Sequence, residues 1–123
     1  MAIRAAHYPG RAPIDAYGNG GFRFAGMSHR GSLLCLPSGI HGWDPGGVVD
    51  RTTLSRVFAE AESIEVLLVG TGREIVPLGP DLAAALREAR IVAEAMSTGA
   101  AVRTFNVLLA EERAVAAALL AVD

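Results

Sequence analysis

Val66-Leu67-Leu68-Val69-Gly70-Thr71-Gly72 reads as an apolar strand that runs straight into a Gly-Thr-Gly turn. The run shows no alternation of apolar and polar residues, so both of its faces must be covered, as in a parallel or mixed sheet. The flanking segments read as layers laid against it. Upstream, Leu54, Val57, Phe58 and Ala61 recur at helical spacing behind Asp50, a capping residue, which predicts a helix over 51–61 and the strand over 64–69. Downstream, residues 74–78 form a short segment, and Gly79-Pro80-Asp81 then opens a second helix. Proline is favoured at the first helical position, and an acidic residue suits the first turn. Leu82, Ala85, Leu86 and Ala89 line the apolar face of that helix. A short strand over 91–96 follows, then Ser97-Thr98-Gly99 leads into a third helix over 100–111, with Thr98 placed to cap it.

The two ends are less regular. Residues 1–13 carry Pro9, Gly10 and Pro13 and read as an N-terminal arm, leaving 14–123 as a single α/β domain. Short strands over 14–17 and 22–24 flank a turn at Gly18-Asn19-Gly20-Gly21, and Gly26 to Ser28 makes another. With a strand over 31–36 as partner, this is a β-hairpin or meander. Residues 37–47, rich in proline and glycine and holding the single tryptophan, Trp43, are expected to form a loop. For 113–122, alanine content favours helix, but length and the Glu111-Glu112-Arg113 break allow a buried strand, and periodicity does not decide. Helix alternating with apolar strand predicts an α/β fold with helices packed on a sheet.

Composition narrows the function. The chain has 123 residues, 51% of them hydrophobic, and a net charge of −2. One packed core fits that size, and no basic surface for nucleic acid is implied. The longest apolar run, 114–122, is nine residues, whereas a membrane span takes about 20. No apolar signal core follows Arg4 and Arg11, so a cytoplasmic protein with no membrane span is expected. The lone Cys35 excludes an internal disulfide and reads as an inert buried thiol.

No catalytic constellation stands out. Gly70 and Gly72 lack the third glycine of a dinucleotide fingerprint, and the P-loop pattern is absent. If the turn met an anion, Arg73 is the nearby cation. His29, Cys35 and His41 are spaced by six residues, but Pro37 and Gly39 break any one strand through them, and tight metal spacings are missing. Neither a metal nor a cofactor is expected. Asn106 sits on the apolar stripe of the third helix formed by Val102, Phe105 and Leu109. A buried amide needs partners. Asn106 therefore reads either as a clamp on neighbouring backbone, for instance the Gly70-Thr71-Gly72 turn, or as a polar group on a pocket floor. Trp43 reads as a lid on the core or as an interaction residue.

Val69-Gly70-Thr71-Gly72, the Pro80 helix start, Met96-Ser97-Thr98, Arg103-Thr104-Phe105-Asn106-Val107-Leu108 and Arg113-Ala114-Val115-Ala116-Ala117-Ala118-Leu119 resemble a small domain family of uncharacterised function. That family includes the mitochondrial NADH:ubiquinone oxidoreductase assembly factor three and the adipogenesis-associated domain protein. The resemblance spans residues 13–122, with Phe105 where many relatives have Tyr. It implies three layers, a central mixed sheet of about five strands, and a last strand over 113–122 antiparallel to its neighbours. It brings no catalytic residues. It implies a non-enzymatic interaction or assembly factor with a respiratory-complex or other protein partner, docking through an exposed apolar patch at 40–43. The alternative is a small-molecule binder or enzyme with a pocket at Gly70, Thr71, Gly72, Thr98 and Asn106. A homodimer fits a hairpin that leaves a strand edge free.

Overall fold

The computed structural model describes residues 7–123. The elements run β1 (His7–Tyr8), β2 (Ile14–Gly18), β3 (Gly21–Phe24), β4 (Met27–Arg30), β5 (Ser32–Leu36), β6 (Gly39–Trp43), α1 (Ser55–Ala59), a 3-10 turn (Ala61–Ser63), β7 (Val66–Gly70), α2 (Pro80–Glu88), β8 (Val92–Met96), α3 (Thr98–Ala110) and β9 (Val115–Leu119). Of the arm expected over residues 1–13, residues 1–6 lie outside the described residues. Beyond them, His7 and Tyr8 pair antiparallel with His41 and Ile40.

The main sheet has the order β1-β6-β5-β9-β7-β8, five full strands and the two-residue β1. It is mixed: β7 is parallel to β8 and β9, while β5 is antiparallel to β6 and β9. The unbroken apolar run of β7 splits between two cores. Leu67 and Val69 face α1 and α2 with Leu54, Val57, Leu82 and Leu86. Leu68 faces α3 and the three-stranded sheet β2-β3-β4, among Ile14, Phe22, Phe24, Val102 and Phe105. The molecule is thus a three-layer α/β domain, with the small sheet and α3 sharing one outer layer.

The last segment is a strand, but its orientation differs from the expectation. β9 is antiparallel to β5 and parallel to β7. It lies between them with no residue more than 1% exposed, so burial on both faces overrides the helix propensity of its alanines.

The hairpin also differs in its third strand. The partner of β3 is β4, with Phe22 opposite His29 and Phe24 opposite Met27, and not 31–36. The turn between them places Ala25 and Gly26 at φ 49° and 75°, a two-residue reversal that requires two positive φ values. An Ala-Gly pair signals this weakly, whereas Asn19-Gly20 in the β2–β3 turn signals it well. The chain then crosses at Gly31 into the main sheet, where β5 pairs with β6 and β9.

Residues 37–47 are not one loop. Pro37 and Ser38 form a tight turn, and β6 returns alongside β5. The glycine density that suggested a loop has a packing reason at Gly39, where a Cβ would meet the backbone carbonyl oxygen of Tyr8.

The expected helix over 51–61 is shorter, because 51–54 form turns ahead of α1. Asp50 caps that turn and not the helix: its Oδ1 accepts from the Thr53 N–H at 2.8 Å, and its own N–H donates to Thr53 Oγ1 at 2.9 Å. The third helix starts two residues earlier than expected, and its N-cap is Ser97, whose hydroxyl accepts from the Ala100 N–H. Thr98 lies inside the helix.

Candidate functional site

The carboxyl ends of β7, β8 and β9 meet at Gly70-Thr71-Gly72, Ser97-Thr98-Gly99 and Leu120. Thr98 is fully buried there. Its hydroxyl accepts from the Gly72 N–H at 3.0 Å and donates to the Leu120 carbonyl at 2.7 Å. Its own N–H donates to the Gly72 carbonyl at 2.7 Å. One side chain therefore ties three chain segments together. Thr71 completes the closure: its N–H and hydroxyl both reach the Met96 carbonyl, and the hydroxyl also accepts from the Val76 N–H. The Thr71 and Gly72 N–H groups that an anion would use are engaged by the protein itself. Gly70 allows α3 to come close, since a Cβ there would lie 2.9 Å from Thr98 Cα.

Asn106 is a clamp, but on another partner. Its Oδ1 accepts from the Ile14 N–H at 2.9 Å, and its Nδ2 donates to the Ile14 carbonyl at 2.8 Å. This pair pins the start of β2 to α3. Asn106 is eight residues along α3 from Thr98, about 12 Å by helical rise, so the fold brings Gly70, Thr71, Gly72 and Thr98 together and leaves Asn106 apart from them.

Trp43 and Ile40 do not form an exposed apolar patch. Ile40 is 1% and Trp43 9% exposed, and the indole N–H donates to the Thr53 carbonyl at 2.8 Å. Both belong to β6, whose inward residues fill the two cores.

His29, Cys35 and His41 fall on three strands. His41 pairs across from Leu34, which puts it on the sheet face opposite to Cys35. Among the described residues no three His, Cys, Asp or Glu side chains gather into a metal-binding group. Burial pushes the Cys35 thiol far above its ordinary pKa, so it stays protonated and weakly nucleophilic.

Ser38, His41 and Glu60 do converge, which sequence spacing did not signal. The Ser38 hydroxyl donates to Glu60 at 2.6 Å and lies 3.2 Å from His41 Nε2. A nucleophile relay needs serine to give its proton to histidine and histidine to be held by the acid. Here the acid takes the serine proton directly.

Two clefts meet at Tyr17. One, of about 450 Å³, runs along β2–β4 past Arg23, His29 and Arg30. The other, of about 290 Å³, lies between Gly72, Arg73, Ser97, Gly99, Arg103 and Asp123. A third, of about 310 Å³, is apolar, between Val49, Val76, Pro77, Leu78 and Leu120. Of these arginines the sequence singled out Arg73 alone. The other three sit on three separate elements, which only the folded topology unites.

Three layers, a mixed sheet closed by an alanine-rich central strand and a threonine bolt at its carboxyl end define a small α/β domain. The chain belongs to the family described as "protein of unknown function (DUF498/DUF598)", whose model matches residues 14–120. An uncharacterized protein of Rhodobacter capsulatus is 42% identical over 120 residues, covering 98% of this chain and 93% of that protein. The mouse protein named NADH dehydrogenase [ubiquinone] 1 alpha subcomplex assembly factor 3 is 31% identical over 122 residues, covering 98% of this chain. This chain spans 66% of the mouse protein's length. A crystal structure from Bartonella henselae, described as an outer membrane protein, superposes with a TM-score of 0.92 at 64% identity, covering 95% of this chain and 100% of that one. Among the described residues no helix is long and apolar enough to cross a membrane.

Proposed function

We propose that this chain is a non-enzymatic interaction domain that assists assembly of a respiratory NADH dehydrogenase in the cytoplasm. The observation that carries this reading is the 31% identity to the mouse assembly factor across 98% of the chain, a span that contains both cores and the Thr98 bolt. A protein that works by holding another needs a stable scaffold and an accessible, chemically distinctive surface. The satisfied polar groups at Thr98 and Asn106 fit the first need, and the arginine-lined clefts fit the second. The ligand-pocket alternative has less behind it, since Asn106 and the Gly72 N–H are taken up by protein partners.

Deletion of the gene in its native host tests the reading. Membranes resolved on native gels should show mature NADH dehydrogenase reduced several-fold, with partial complexes accumulating, and the wild-type gene should restore it. Mature enzyme at its normal level in the deletion strain sinks the proposal. Fractionation of the tagged protein checks its place of action against the outer-membrane description of the Bartonella relative.

A further inference from the structure

We propose that the two clefts sharing Tyr17 form one docking groove for an extended acidic segment of the partner protein. The inference rests on the reading that this chain binds a protein. Its ground is a mismatch between the whole chain and this surface. The chain carries 13 acidic and 11 basic residues. The two clefts are lined by four arginines, Arg23, Arg30, Arg73 and Arg103, against the single acid Asp123. Among the described residues none of the four is ion-paired or hydrogen-bonded: the one salt bridge joins Arg113 to Glu65 at the other end of β7. Glu111 and Glu112 also lie at that far end, where α3 stops.

The groove has a shaped wall. Tyr17 is 43% exposed, and its hydroxyl rests where a side chain at residue 99 would be, so Gly99 is what lets the ring lie against α3. Arg103 stands one turn further on, with a guanidinium nitrogen 3.6 Å from the position of a Gly99 Cβ. Exposed tyrosine beside unpaired arginine is the composition of protein-binding hot spots, and the planar guanidinium matches a carboxylate in two parallel hydrogen bonds. A nucleic acid or an anionic membrane presents an extended field that a net charge of −2 opposes, whereas a short acidic segment senses the local arginines.

The test is titration of the 15N-labelled full chain with a synthetic peptide of alternating Glu and Leu, its Lys-for-Glu counterpart, oligo(dT), and phosphatidylglycerol vesicles. The acidic peptide should give saturable amide shifts at Tyr17, Gly72 and Gly99 that weaken with salt. The Arg23→Glu/Arg103→Glu variant should bind about tenfold or more weakly, and Arg23→Lys/Arg103→Lys should fall between. A preserved spectrum shows that each variant is folded, and Arg23→Gln/Arg103→Gln replaces the glutamate variant if it is not. Equal shifts from the lysine peptide, shifts mapping elsewhere, no shifts, or preference for oligo(dT) or vesicles would overturn the groove. In the native host, a folded charge-reversed variant that still recovers NADH dehydrogenase subunits refutes the groove alone. A wild-type chain that recovers none refutes the assembly reading beneath it.

Discussion

The hydroxyl of Thr98 holds β7, α3 and the chain leaving β9 in one place, so its removal leaves a half-buried donor and a half-buried acceptor without that partner. Thr98→Val should lower stability by about 2 to 3 kcal/mol, read as a shift of the urea midpoint at constant slope, while Thr98→Ser, which keeps the hydroxyl, should recover most of it. Asn106 acts more locally. Asn106→Ala should speed amide exchange in β2 and β3, beginning at Ile14, and leave β7 protected. Cys35 gives a pH signature. Its folded pKa is raised by burial above the ordinary 9.0, so the native state holds its proton while the unfolded chain begins to release it. This contribution to stability is intact below about 9 and declines as pH rises beyond it. An alkaline denaturation series of wild type against Cys35→Ala should show that extra decline in the wild type alone. Asn106 stood out in sequence as a polar residue set in an apolar stripe, whereas Thr98 stood out only as a helix cap, a place that Ser97 takes. Neither residue's partner was legible, because Ile14 and Leu120 lie 92 and 22 residues away and only the tertiary fold brings them near.

Among the elements, α2 and α3 end alike and without glycine. Arg90 and Glu112 adopt φ 63° and 59°, and each is followed by a six-to-one hydrogen bond, Ile91 N–H to Leu86 and Arg113 N–H to Leu108. This is the Schellman closure, where glycine meets no Cβ penalty. Arg90→Gly and Glu112→Gly should each stabilise the protein by about 0.5 to 1 kcal/mol, visible as a raised thermal midpoint. The central elements were legible in sequence because their signals agree: the unbroken apolar run of β7, Pro80 at the start of α2, and the stripe of α3. The first third was less so. β4 begins after an Ala-Gly turn and alternates half-buried with exposed residues, and β6 is GIHGW, with glycines that serve close backbone approach. The strand state of β9 came from family likeness, since its alanines carry no strand signal of their own.

On the scale of the whole molecule, two separate cores lie on either side of one sheet, and four arginines line the two clefts that share Tyr17. The proposed recognition of a partner at this surface would use the spare hydrogen-bonding capacity of Arg23, Arg30, Arg73 and Arg103. This surface was hidden from the sequence because no two of those arginines fall in one short motif. The most direct measurement is affinity capture of the tagged full-length protein from its native host in mild detergent, with bound proteins identified by mass spectrometry, beside the folded Arg23→Glu/Arg103→Glu variant. Recovery of NADH dehydrogenase subunits in stoichiometric amount by the wild type, and their loss from the variant, is the predicted result. A wild-type chain that emerges alone, or with no NADH dehydrogenase subunit, contradicts the account.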